Sequence, residues 1–213
     1  MDAGENMKKF DESFQLKLRE TVEKIESASH AEIVVAVAPR SARYTTINLW
    51  CGALAGFLLL TVMMFIPYDL STPYIYFGTL YGFAAGYIAA NAFPGLKRRL
   101  AGKKRLREKA EREAKHFFHE NGIVETRDRI GILFFFSFFE KHAVIIPDRG
   151  AKRMLPPEYL EQIQENCDDV FKGGPIPANI LNALLESGEI LSKYIPRTAD
   201  DINELPDSVR VYS

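Results

Sequence analysis

Two long uncharged stretches constrain this chain more than anything else in it. Ile47–Ile66 is a run of twenty residues without Asp, Glu, Lys, Arg or His, and Tyr74–Leu96 is a second such run. Between them lies a seven-residue break, Pro67-Tyr68-Asp69-Leu70-Ser71-Thr72-Pro73. At a helical rise of about 1.5 Å per residue, twenty residues match a hydrocarbon core of ~30 Å. Each run therefore reads as a spanning helix, the second ending near Pro94, where a helix can stop. Two crossings make a hairpin and return the chain to the side it left. Residues 1–46 and 97–213 then share a compartment and are expected to build one soluble α/β domain, interrupted by the transmembrane hairpin of residues 47–96.

Charge beside the runs sets the expected orientation. Lys97, Arg98, Arg99, Lys103, Lys104, Arg105 and Arg107 follow the second run and Arg40 and Arg43 precede the first, whereas the break between them holds Asp69 and no basic residue. The positive-inside rule puts the hairpin tip outside and both termini in the cytoplasm, at the inner membrane. Beside a span, a basic run serves topology and contact with anionic headgroups. Nucleic-acid binding is not expected, because the net charge is only −1 and no recognition motif is present. No cleavable signal peptide is read at Met1–Asn6, so the first span would itself be the anchor.

Glycines recur on one face of each run. Gly78, Gly82 and Gly86 are spaced by four in the second, with Gly52 and Gly56 in the first. Such a ridge lets two backbones approach closely in lipid, where van der Waals contact replaces the hydrophobic drive. It would pack the two helices of the hairpin together or join neighbouring copies of the chain. Neither run holds an ionisable side chain of the kind that marks an ion or proton path.

The rest of the 213 residues has globular composition, 26% charged and 47% hydrophobic. Phe10, Phe14, Leu18, Val22 and Ile25 form an amphipathic stripe over Glu5–Ala28. Ala31–Ala38 is a β-branched run ending at Pro39, the profile of a strand covered on both faces. Lys103–Asn121 carries Leu106, Ala110, Ala114 and Phe117 along one side, with Gly122 placed as a C-cap. Ile130–Phe139 is too short to span a bilayer and too aromatic to be exposed, so it reads as a buried strand. It is paired in a tight hairpin with His142–Pro147 across Glu140-Lys141. Helices at Pro156–Phe171 (inward Tyr159, Ile163, Cys167, Val170) and Pro177–Ile195 would sheathe that strand. The tail from Thr198 is acidic and reads as loose, except that Val209–Tyr212 alternates and could lie along a sheet edge. Cys51 and Cys167 fall in separate parts and are not expected to pair, in keeping with a reducing compartment. His116 and His119 are three apart on a helix, but no further ligand accompanies them. Cation placement in a helix's last turn is the simpler explanation.

The helix leading into Ala31-Glu32-Ile33-Val34-Val35 is followed later by Thr126-Arg127-Asp128-Arg129-Ile130-Gly131-Ile132-Leu133. Glu140-Lys141-His142-Ala143-Val144-Ile145-Ile146-Pro147-Asp148-Arg149-Gly150 and Asn203-Glu204-Leu205-Pro206-Asp207 complete the pattern. Together these segments resemble the TPM domain family, in its short bacterial membrane-bound branch with a two-helix hairpin inserted after the first strand. The resemblance implies an α/β sandwich, a central sheet with helices on both faces. It implies no single chemistry: members of that family have been assigned phosphatase activity, roles in photosystem assembly or repair, and accessory roles beside membrane receptors. Many keep the domain outside the cytoplasm.

Sheet-and-helix domains usually place their sites beyond strand ends, where Glu32, Asp128 and Asp148 would collect with Arg127, Arg129 and Arg149. Those carboxylates could hold a hard cation such as Ca2+ or Mg2+, and the arginines could fork onto phosphate oxygens. Asp128 and Asp148 are then the catalytic candidates of a metal-dependent phosphomonoester hydrolase. The simpler reading makes Thr126–Arg129 a polar turn and Asp148-Arg149-Gly150 a turn that uses the glycine's positive φ. With no phosphate loop, nucleophile elbow or paired His and carboxylate set, the sequence favours an interaction or assembly module. Its expected partners are the lipid bilayer and a membrane protein, or a second copy through the glycine ridge.

Overall fold

The computed structural model describes residues 12–123, 126, 128–197 and 210–211. Its secondary structure is mixed α/β: α1 (Glu12–Ala28), β1 (Glu32–Ala38), α2 (Thr45–Phe65), α3 (Thr72–Ala92), α4 (Pro94–Ala101) and α5 (Lys103–Glu120) come first. β2 (Gly131–Ser137), β3 (His142–Pro147), α6 (Arg149–Met154), α7 (Pro157–Asp169), α8 (Ile176–Tyr194) and β4 (Arg210–Val211) follow. The expected positions of Phe10, Arg127 and the acidic tail at 198–209 lie outside the described residues. The chain divides into two compact units, one of residues 1–41 and 107–213, the other of residues 42–106.

In the first unit the strands lie in the order β3-β2-β1-β4. β1 and β2 are parallel with Glu32 opposite Gly131 and Ala38 opposite Ser137, while β2 and β3 are antiparallel with Ile132 opposite Pro147. β4 pairs parallel to β1 at Ala36 and Val37, so the alternating segment near the C-terminus does lie on the sheet edge at residues 210–211. Every residue of β1 and of β2 is buried. The sheet is apolar on both sides, so both sides must be covered. Ile33, Val35, Val37, Ile132, Phe134 and Phe136 pack with Phe14, Leu18, Val22 and Ile25 of α1 and with residues of α7 and α8. The alternate set, Val34, Ala36, Leu133 and Phe135, packs with Ala110, Ala114 and Phe117 of α5. Period-2 strands and period-3.6 helices thus bring the expected stripes together.

Several local expectations are refined. Gly122 ends its helix region at φ +66° as anticipated, and Gly174 takes φ +78° after α7. Gly150 instead lies inside α6, not at positive φ. The left-handed residue of that region is Arg129, at φ +58°. A Cβ on Gly150 would clash with the Asp128 carbonyl oxygen and lie 2.6 Å from that of Arg129, so close backbone approach, not turn geometry, requires the glycine. Strand β2 ends at Ser137, because Phe138 and Phe139 donate their N–H groups to the carbonyls of Ala38 and Pro39 and lead into a turn with Lys141 at φ +51°.

In the second unit α2 and α3, each 21 residues long, pack on each other. The glycines form their contact. A Cβ on Gly52 would lie 2.9 Å from the Phe83 carbonyl oxygen, one on Gly56 3.1 Å from that of Thr79, and one on Gly86 2.7 Å from that of Cys51. Gly78 faces Met63 and Gly82 faces Leu59. Of the two uses foreseen for the ridge, it is the packing of one helix on the other that these contacts display. Among the described residues, α2 is the helix long and apolar enough to cross a membrane. α3 matches it in length but carries Tyr74, Tyr76, Tyr81 and Tyr87 with three glycines, which lowers its hydropathy below that standard. α3 stops at Phe93, just before Pro94 as expected, and Pro94 then opens the separate helix α4. Cys51 and Cys167 are both free.

Candidate functional site

At the end of the sheet where β1 and β2 begin, register gathers most of the acidic candidates. Glu32 stands opposite Gly131, and the Asp148 N–H donates to the Gly131 carbonyl at 2.8 Å, extending the β2–β3 pairing by one step. Asp148 is the N-cap of α6: its Oδ1 accepts from the Arg149 N–H at 2.7 Å. Its side chain is buried and Oδ2 has no hydrogen-bond partner among the described residues. Thr126 Oγ1, also buried, has none either. Buried polar atoms are normally satisfied, so two orphans in one region call for a physical account.

Asp128 is exposed and meets His30, Nε2 to Oδ2 3.2 Å, across 98 residues of sequence. The Arg129 N–H donates to the Thr126 carbonyl at 3.2 Å, and that turn is held against α6 by the Gly150 N–H donating to the Arg129 carbonyl at 2.7 Å. The side chains of Arg129 and Arg149 are exposed, and Arg127 lies outside the described residues. Glu32, buried, lines a shallow open depression of about 120 Å³ with Glu23, Glu26 and Arg197. Glu26 Oε1 there accepts the Ile33 N–H at 2.8 Å.

This cluster sits at the amino ends of the parallel strands, opposite the carboxyl ends where open α/β sheets usually bind ligands. Asp148 joins it because β3 runs antiparallel. A hard cation such as Ca2+ takes about six to eight oxygen ligands. Among the described residues no group of three His, Cys, Asp or Glu side chains comes close enough to hold a metal. Glu32, Asp128 and Asp148 share an end of the sheet without forming one cage, so the Ca2+ or Mg2+ site expected of them does not fit as a three-carboxylate site. His116 is exposed and meets Glu120, Nε2 to Oε1 3.3 Å, and His119 is the basic residue in the last turn of that helix.

The carboxyl end holds a cluster that the sequence reading passed over. Ser41, Ser137 and Glu140 are all buried. Ser137 Oγ donates to Glu140 Oε2, Ser41 Oγ lies 2.6 Å from Ser137 Oγ, and the Ser41 N–H is shared by both Glu140 oxygens at 3.2 Å. The carboxylate pins the segment leaving β1 to the β2–β3 turn, where the Arg40 guanidinium also stacks over the Phe139 ring at 5.4 Å. Nearby, His142 Nδ1 meets Asp168 Oδ1 at 2.8 Å, and Asp168 accepts the Ala143 N–H at 3.1 Å. Burial alone would raise the Asp168 carboxyl, but the hydrogen bonds from His142 and Ala143 outweigh it and hold the group below the usual carboxylate range. Burial pushes the adjacent Cys167 thiol up to about 12, which leaves it an inert core residue. The only sequence signal for these groups was polarity inside apolar segments, Ser137 and Glu140 at the end of a phenylalanine run.

No protein-family model matches the chain, and no curated protein does. Among solved structures it is similar to the NMR structure of the BA42 protein from the psychrophilic bacterium Bizionia argentinensis, with a TM-score of 0.58. The likeness covers 95% of this chain and 94% of that one at 14% sequence identity, and such a level of identity speaks to the fold alone.

Proposed function

We propose that the chain is a membrane-anchored, TPM-like interaction module: a sandwich domain tethered by a two-helix transmembrane hairpin, with domain and both termini on the cytoplasmic face. One observation carries the reading. The α2–α3 pair turns its glycines inward and leaves Trp50, Leu54, Phe57, Phe65, Phe77, Tyr81 and Ile88 between 53% and 84% exposed. A water-soluble protein rarely leaves so continuous an apolar surface bare, whereas lipid covers it at no cost. α3 pairs with α2 along its whole length, so its tyrosines and glycines are carried across with it, the tyrosines Tyr74 and Tyr76 falling near an interface.

Reporter fusions test the anchor: one at Ser71 is expected to behave as external and one after Ser213 as internal, and the reverse pattern overturns the orientation. Crosslinking and pull-down from native membranes tests the docking role, with a stoichiometric membrane protein as the expected product. A second reading, phosphomonoester hydrolysis with a divalent cation, is favoured by one feature, the buried oxygens of Asp148 and Thr126 that have no partner among the described residues. Cation-dependent turnover by the purified protein, lost in both Asp148→Asn and Asp128→Asn, would replace the docking role with that reaction.

A further inference from the structure

Helix α4 is built inside out. Over Pro94–Ala101 the buried residues are Lys97, 4% exposed, and Ala101, while Leu96 and Leu100 are 47% and 54% exposed and Phe93, just before the helix, 62%. A surface helix in water shows the opposite pattern, leucines inward and lysines outward. The inversion is fixed by a polar knot: Lys97 Nζ donates to Asn91 Oδ1 at 3.1 Å and Asn48 Nδ2 approaches the same oxygen at 3.4 Å. Asn48 lies in the first turn of α2 and Asn91 in the last turn of α3, so the knot ties α4 to the end of the hairpin where both helices meet the basic segment.

The exposed charged residues among and just after the outward leucines are all cationic: Arg99 on α4, then Lys103, Lys104 and Arg105. No acidic residue occurs between Asp69 and Glu108. Exposed leucines to be covered and arginines and lysines to be neutralised, within one short stretch of chain, match the boundary of an anionic leaflet, apolar chains below and phosphates above. We infer that α4 and the turn into α5 form an interfacial seat for anionic phospholipid, leucines in the acyl boundary and Arg99, Lys103 and Lys104 on headgroup phosphates. The inference rests on the membrane reading above and adds its lipid preference. An eight-residue helix has little stability of its own. The hydrogen exchange of its amides therefore reports what it lies against.

The test is amide hydrogen exchange of the full chain in nanodiscs of phosphatidylcholine alone or mixed with phosphatidylglycerol. Slower exchange over residues 94–105 in the anionic discs is expected, reversed by about 0.5 M NaCl, which shortens screening to a few ångströms. Each of Arg99→Gln, Lys103→Gln and Lys104→Gln should weaken the protection roughly fivefold. Leu96→Ser with Leu100→Ser should lower it in both kinds of disc. Equal exchange over 94–105 in the two discs overturns the seat, as does protection produced by inorganic phosphate added to the neutral discs. Slow exchange over residues 45–65 in both discs shows the hairpin inserted whatever the seat does. Fast exchange there overturns the membrane reading and the seat together.

Discussion

Replacing Glu140 by alanine removes the acceptor on which the carboxyl end of the sheet closes. Ser137 Oγ–H is directed at the Glu140 side-chain oxygen, and Ser41 Oγ lies within hydrogen-bond reach of Ser137 Oγ. In Glu140→Ala the Ser41 N–H stays buried without an acceptor, at about 1–3 kcal/mol, and a hydrogen bond to a charged group worth ~1.5–3 kcal/mol is lost. The two hydroxyls still pair with each other, and relief from burying a charge offsets part of the loss. A net destabilisation of about 2–4 kcal/mol is expected, a large share of an ordinary domain's stability. Glu140→Gln keeps the shape and one acceptor oxygen and should cost only about 1–2 kcal/mol. Because the single tryptophan, Trp50, lies on α2, its fluorescence does not follow this unit. Pulse proteolysis of the detergent-solubilised protein across a urea series does. An alanine variant within about 1 kcal/mol of the parent, or a glutamine variant as costly as alanine, would refute the idea that the buried carboxylate holds this corner.

Other perturbations test other parts. Gly86→Leu drives a side chain into the Cys51 carbonyl and Ala55, so the hairpin should lose about 1–3 kcal/mol. Thermal unfolding followed by Trp50 fluorescence reads this directly, and an unchanged midpoint would contradict the packing described. Gly150→Ala meets backbone on the Asp128–Arg129 turn and should cost at least about 2 kcal/mol while shifting the His30 ring resonances that report its contact with Asp128. A silent His30 spectrum would uncouple that turn from α6. Asp168, held below the usual carboxylate range, contributes stability that is complete above its unfolded pKa of about 4 and is lost as pH falls through its lower folded value. The acid limb of unfolding should flatten in Asp168→Asn, and an identical limb would remove this group from the account.

Periodicity made much of the sheet domain legible. The stripes of α1, α5 and α7, the doubly covered strands and the C-cap at Gly122 all follow from neighbours within a few turns, where local geometry decides which side chains share a face. The same logic found the glycine rows. It failed where one residue's local signal is ambiguous: Gly150 reads as a turn residue, though its demand is for room against the Arg129 carbonyl.

What the chain alone determined, then, is the alternation of its elements, the length of the two uncharged runs and the charge beside them. Those are properties of consecutive residues. Tertiary structure decided which end of the sheet collects Asp128 and Asp148, that His30 meets Asp128, that Ser41 and Ser137 share Glu140, and that α4 buries a lysine and exposes its leucines. Each of these pairs or inversions depends on the register of β1 against β2 or on the knot at Asn48, Asn91 and Lys97. Such register is fixed by packing across the whole domain, because a shift of one residue would turn every buried side chain to the wrong face, and no window of neighbouring residues contains that constraint.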